Sequence, residues 1–226
     1  MRAAGAAGMA AVACFMVAFI ADPTPPVAGA DPALILKHLN AFATADRLAG
    51  FFFGASGALL VAFAAGLSHA LRRASRGAEW LGSALLAGGV QGGTMLTATS
   101  VLFFTLGARA NTLTGATASV LSDLANYGFA FAGFGVLVFV AAATALMLRA
   151  HGALRILGEL GVVVCVLLVV YVVCAFVTSG PFTAGAVVSI ICFGAAALWV
   201  AFTALALLVL EPHALFGAPL TLERRS

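Results

Sequence analysis

Residues 127–148 read YGFAFAGFGVLVFVAAATALML, an apolar run without a single charged side chain. A helix rises 1.5 Å per residue, so about 20 such residues cross roughly 30 Å of hydrocarbon. Working outward from this run, the same reading applies to residues 3–21, 48–71, 80–106, 157–178 and 183–210. Helices are required because the lipid interior offers backbone N–H and C=O groups no water, and the two-residue alternation of barrel strands is absent. Composition agrees. The 226 residues are 63% hydrophobic and 8% charged, against roughly 25% charged in a soluble domain. The expected fold is therefore all-α, a polytopic transmembrane bundle of six membrane-spanning helices forming one integral membrane domain over residues 1–226. The bilayer itself is the first partner this implies.

The basic residues give an orientation, because Lys and Arg beside helix ends favour the cytoplasmic side. Arg2, Arg72, Arg73, Arg76, Arg149, Arg155, Arg224 and Arg225 fall on one face of this threading, and Lys37, Arg47 and Arg109 on the other. That split predicts a multi-pass membrane protein with both termini in the cytoplasm. Trp80 and Tyr127 stand at the expected water boundaries. The first span admits a second reading, since Arg2, the apolar run to Ala21 and Ala28-Gly29-Ala30 also resemble a cleavable export signal. Pro23, Pro25 and Pro26 would make an extended connector after it.

Residues 22–47 and 107–126 are read as extracytoplasmic loops carrying short helices. Asp31-Pro32 is a helix start, with a carboxylate to accept from free N–H groups and a proline that loses no needed bond. Leu34, Ile35, Leu39 and Phe42 follow at helical spacing, with Lys37 and Asn40 toward water, which predicts a short amphipathic helix on the outer surface. In the second loop Thr114 or Thr117 would cap a helix carrying Val120, Leu121 and Leu124. Shifting the chain by 77 residues aligns Asp46, Phe52, Leu71 and Arg72 with Asp123, Phe129, Leu148 and Arg149. This predicts a parallel internal repeat about an axis along the membrane normal.

Gly88 with Gly92, and Gly89 with Gly93, form two overlapping GxxxG pairs on the third span, which places that helix at the centre of the bundle. Gly54, Gly57, Gly133 and Gly135 are expected to serve the same close packing. The four cysteines, Cys14, Cys165, Cys174 and Cys192, lie in apolar runs without a CxxC pair and are read as packing residues. Tyr171 and Trp199, deep in the fifth and sixth spans, are expected to bond each other or a backbone carbonyl.

Candidate functional polarity is sparse. Gln91 and Thr94 share a face of the third span at mid-depth, with Thr97 and Ser100 turning further round it; they form either interhelical bonds or a hydrated path. At the outer rim Asp46 and Arg47 precede the second span, while Asp123, Asn126 and Tyr127 precede the fourth. Both aspartates read as residues near helix N-termini, favoured by the dipole, or as parts of an outward-facing polar mouth in which Arg47 or Arg109 binds an anionic head group and Tyr127 lines the wall, unless Asp123 simply neutralises Arg47. His38, His151 and His213 read as loop or boundary residues, and Glu159 and His69 as interface residues. No catalytic, cofactor-binding or metal-ligating set stands out, no cofactor is expected, and no basic run suited to nucleic acid is present.

The run TASVLSDLANYGFAFAGFGVLVFVAAATALMLRAHGALRILG, then SGPFTAG and ALWVAFTALALL, resembles an uncharacterised six-helix bacterial membrane family similar to domain of unknown function 4386. The likeness runs from about Asp31 onward; where many members carry Leu-Pro-Arg-Trp-Leu-Gly, this chain has ALRILG over Ala153–Gly158. The resemblance implies a fold and a location, and no activity. Three functions follow as expectations, in order: a non-enzymatic protein that packs with or regulates a membrane partner or a second copy; a small-molecule or lipid carrier with an outward-facing polar mouth; and a lipid-active membrane enzyme. The carrier needs a polar cavity from rim to Gln91, and the enzyme needs ionisable groups converging at one depth.

Overall fold

In the computed structural model the described residues are 1–22, 25–74, 79–177 and 180–210; Pro23, Arg76, His213, Arg224 and Arg225 lie outside them. The described chain is helical throughout, with six long helices: α1 Arg2–Ala21, α2 Pro32–Ala74, α3 Glu79–Arg109, α4 Gly115–Met147, α5 Ala153–Val173 and α6 Val187–Val209. A single 3-10 turn, Cys174–Phe176, continues α5. Five of the helices are long and apolar enough to cross a membrane. The sixth, α3, has the length but is diluted by its glycines, threonines and Gln91. Large apolar side chains such as Phe51, Val101, Phe131, Val166 and Leu198 face outward, as a surface bathed in lipid requires.

Short connections make successive helices antiparallel neighbours. Each packs on the next and α6 returns to α1, while α3 lies between α2 and α4. Arg2, Arg72, Arg149 and Arg155 thus sit at one end of the bundle. Lys37 and Arg109 sit at the other, called here the connector end because the α1–α2 connector lies there. The glycine reading of α3 holds. A methyl group on Gly93 would come 2.5 Å from the Gly57 carbonyl oxygen of α2, and one on Gly88 would come 2.8 Å from the Gly135 oxygen of α4. Gly54 meets Ser100, and Gly133 meets the Tyr171 ring. With no hydrophobic force between helices in oil, this backbone contact supplies the cohesion.

The outer amphipathic helix and the second span are two helical stretches of α2 that abut at a kink at Phe42 (φ −124, ψ 19), and the helix of the second loop leads directly into the fourth span as α4. The start signals are as read. Asp31 Oδ1 accepts from Ala33 N at 2.7 Å, and Thr114 caps α4 by accepting from Thr117 N at 3.3 Å. No loop separates either outer helix from its span, since no proline or glycine lies between Leu34 and Asp46 or between Gly115 and Tyr127. Ile35 and Leu39 are buried, whereas Leu34 and Phe42 are exposed. The two buried residues form a small core of their own with Leu106, Ala110 and Ala118, apart from the main one.

Candidate functional site

Polar groups gather at the connector end, held there by long-range bonds. Asp123 Oδ1 accepts from Gly29 N at 2.7 Å, and Asn126 Nδ2 donates to the Pro26 carbonyl at 3.0 Å. Ala28 N donates to the Ala184 carbonyl at 3.2 Å, which ties the connector to the α5–α6 loop. Asp123 and Asn126 thus hold the connector over the helix ends. Asp46 stands in the first turn after the kink at Phe42, whereas Asp123 lies two turns into α4 and is not near its N-terminus.

Fixing the connector places Asp22, the residue that ends α1, against α2. His38 Nε2 lies 3.4 Å from Asp22 Oδ1 and 3.5 Å from Asp46 Oδ1. Three ligand atoms, one from each residue, lie within 4.8 Å of one another. Asp22 and Asp46 are 5% and 3% exposed, so these charges are shielded from solvent by protein. Neither His–Asp approach has hydrogen-bond geometry, and both Asp22 oxygens, His38 Nε2 and Asp46 Oδ2 are buried without a hydrogen-bond partner. His38 and Asp46 are eight positions apart, about 12 Å along a straight helix. The bend at Phe42, midway between them, makes their approach possible, and the Phe42 ring lies 5.0 Å from the imidazole.

Beside the cluster is a cavity of ≈ 70 Å³. Its walls are mostly aromatic, among them Phe15, Phe53, Phe129 and Phe193, with Asp22 and Asn126 as polar lining. The Phe53 and Phe129 rings meet edge to face at 4.8 Å. Gly185, at φ +84, lets the α5–α6 loop pass over Asn126 where no side chain would fit. A second cavity of ≈ 40 Å³, apolar apart from Ser56, also includes Phe15 and Phe193 in its wall.

The expected mouth is therefore only partly assembled. Asp46 joins Asp22 and His38 instead of Asp123, and Asn126 lines the cavity while Tyr127 is half-buried beside it in sequence. Arg47 turns back on its own helix, donating to Ala43 O at 3.3 Å and Thr44 Oγ1 at 3.1 Å. Among the described residues no ion pair joins it to Asp123. Gln91 and Thr94 are elsewhere altogether. Both are exposed on the outside of α3, and neither cavity reaches them.

His38 and Asp22 are the functional candidates that sequence reasoning missed. His38 read as a boundary residue because its carboxylate partner is two turns away, beyond the i±4 neighbourhood of a straight helix. Asp22 comes from another helix. Compared with protein-family models, with characterised proteins and with solved structures, the chain finds no match in any of the three.

Proposed function

We propose that this is a non-enzymatic protein of the bacterial plasma membrane, both termini cytoplasmic, that acts by pairing laterally with another transmembrane helix through the exposed face of α3. Gln91 carries the reading. It lies near the middle of a 31-residue helix, is exposed, and makes no hydrogen bond among the described residues. Its neighbours on the helix are self-sufficient: Thr94, Thr97 and Thr105 donate to the carbonyls of Val90, Gly93 and Val101. A primary amide facing hydrocarbon has no such recourse and costs several kcal/mol unless another chain supplies a partner. Ala87, Thr94 and Ala98, exposed on the same side, are small enough for a second backbone to approach. A second copy fits best, because an amide both donates and accepts and so pairs with itself across a two-fold axis.

The test is disulfide cross-linking of Thr94→Cys in native membranes, with the four native cysteines replaced by alanine. A covalent dimer is expected, and adding Gln91→Leu should weaken association about tenfold, the order of one or two interhelical polar bonds. A chain that stays monomeric under oxidant, or dimerises equally well with leucine, overturns the reading.

The aromatic cavity favours a second reading, small-molecule binding at the outer end. Its occupant would be a compact, largely apolar molecule with one polar group toward Asp22 or Asn126. Toluene and benzyl alcohol are suitable probes. Both are expected to raise the melting temperature of the detergent-solubilised protein, and Ser189→Phe, which fills the cavity wall, should abolish that rise. The expectation fails if the filled variant responds as the parent does. Apolar walls, and no extension of either cavity to Gln91, argue for a binding chamber over a polar permeation path.

A further inference from the structure

We propose that Asp22, His38 and Asp46 form a binding site for one divalent transition-metal ion, zinc being the first expectation. The inference stands on the cluster alone and is independent of how α3 associates.

Distance is the first argument. Hydrogen bonds between nitrogen and oxygen usually measure 2.7–3.2 Å, whereas His38 Nε2 stands 3.4 and 3.5 Å from the two carboxylate oxygens. Two ligands bound tetrahedrally at 2.0–2.2 Å are themselves about 3.3–3.6 Å apart. The spacing is thus long for a hydrogen bond and right for neighbours on one ion. The third separation is within 4.8 Å.

Charge is the second. Two carboxylates and a neutral imidazole carry −2 in a place where the aspartates are 5% and 3% exposed. Arg47, the basic residue next in sequence to Asp46, is engaged with Ala43 and Thr44. The two carboxylates favour a protonated imidazole, and burial favours a protonated Asp46 carboxyl, so without a metal the site limits its buried charge by holding extra protons. A dication brings the sum to zero with the imidazole neutral, the form in which it binds metals.

The unpartnered atoms are the third argument. Four polar atoms of these three residues are buried without a hydrogen bond, where native proteins leave few, and a single ion between them would engage all three residues. Imidazole nitrogen with carboxylate oxygen, and no thiolate, suits zinc, cobalt or manganese over copper(I), and the imidazole disfavours magnesium and calcium. Three protein ligands leave a further position for water or a small ligand. Asp22 also belongs to the wall of the aromatic cavity, so the ion and the cavity adjoin.

The experiment uses the full-length protein purified in detergent, treated with EDTA and dialysed against zinc, cobalt, calcium or magnesium chloride. Elemental analysis is expected to find one zinc or cobalt per chain and no retained calcium or magnesium. The cobalt form should show the strong visible absorption of a four-coordinate site, a readout needing no variant. His38→Ala, Asp22→Asn and Asp46→Asn should each weaken zinc binding by at least about 100-fold, beyond the 10- to 100-fold attributed to residues that merely support a ligand. Glu159→Gln, an exposed carboxylate at the opposite end of the bundle, should leave it unchanged. Uptake no greater than that of His38→Ala, or uptake that survives all three ligand substitutions, overturns the proposal.

Discussion

Replacing Gly93 by leucine is expected to leave no folded bundle, while alanine at the same position should cost about 1–3 kcal/mol, the usual penalty of overpacking. The reason lies in what the new atom would meet. A Cβ at Gly93 falls 2.5 Å from the Gly57 carbonyl oxygen and 2.6 Å from Val61 Cγ2. Val61 can rotate, but the Gly57 carbonyl belongs to the hydrogen-bond ladder of α2 and cannot withdraw without moving the helix. Gly57 is equally confined by the backbone of α3, so the contact is reciprocal and no compensating change on one side relieves it. Gly194 of α6 supplies the control. Nothing lies within 4 Å of a Cβ built there, and Gly194→Ala should be neutral or stabilising by up to about 1 kcal/mol through helix propensity. Thermal unfolding in detergent of the three variants distinguishes them; equal losses at positions 93 and 194 would show that backbone contact does not hold α2 to α3.

The second large effect is expected at Trp199, which is 2% exposed. Its Nε1 donates to the Leu157 carbonyl at 2.9 Å, fastening α6 to the first turns of α5. Its ring meets Phe139 of α4 edge to face at 6.1 Å. One side chain thereby joins three helices. Trp199→Ala should cost about 3–5 kcal/mol, as truncation of buried aromatic residues does, and Trp199→Phe about 1–2 kcal/mol for the lost donor and the smaller ring. Equilibrium unfolding should reproduce that order. If phenylalanine is as damaging as alanine, the bond to Leu157 matters more than the packing around the ring.

Both predictions rest on features legible in the sequence. Glycines four apart on α3 announced close contact, and a tryptophan deep in an apolar run announced a carbonyl partner; Tyr171, its other expected partner, packs instead on Phe193 at 5.1 Å. Apolar length located the helices to within a turn or so at the ends that the turns and connectors define. The same criterion failed where helix continues past the hydrocarbon, because hydropathy reports the solvent and not the hydrogen-bond ladder. The direction of Gln91 was available and misread. At 100° per residue it lies about 160° round α3 from Gly89 and Gly93, so a helix that buries those two glycines must turn this amide outward. The His–Asp–Asp cluster was not available at all. It needs a bend at Phe42 that no proline or glycine marks, and an aspartate brought in by a connector whose anchors, Asp123 and Asn126, are about a hundred positions away in sequence.

The length of α2 decides the surroundings of that cluster. Beyond the kink at Phe42 it still runs from residue 43 to residue 74, about 48 Å of helix, well over the roughly 30 Å of hydrocarbon. Measured from Arg72, the oil is used up after about 20 residues, near Phe52. Asp46 and His38 lie beyond the far end of a crossing of about 20 residues that starts at Arg72.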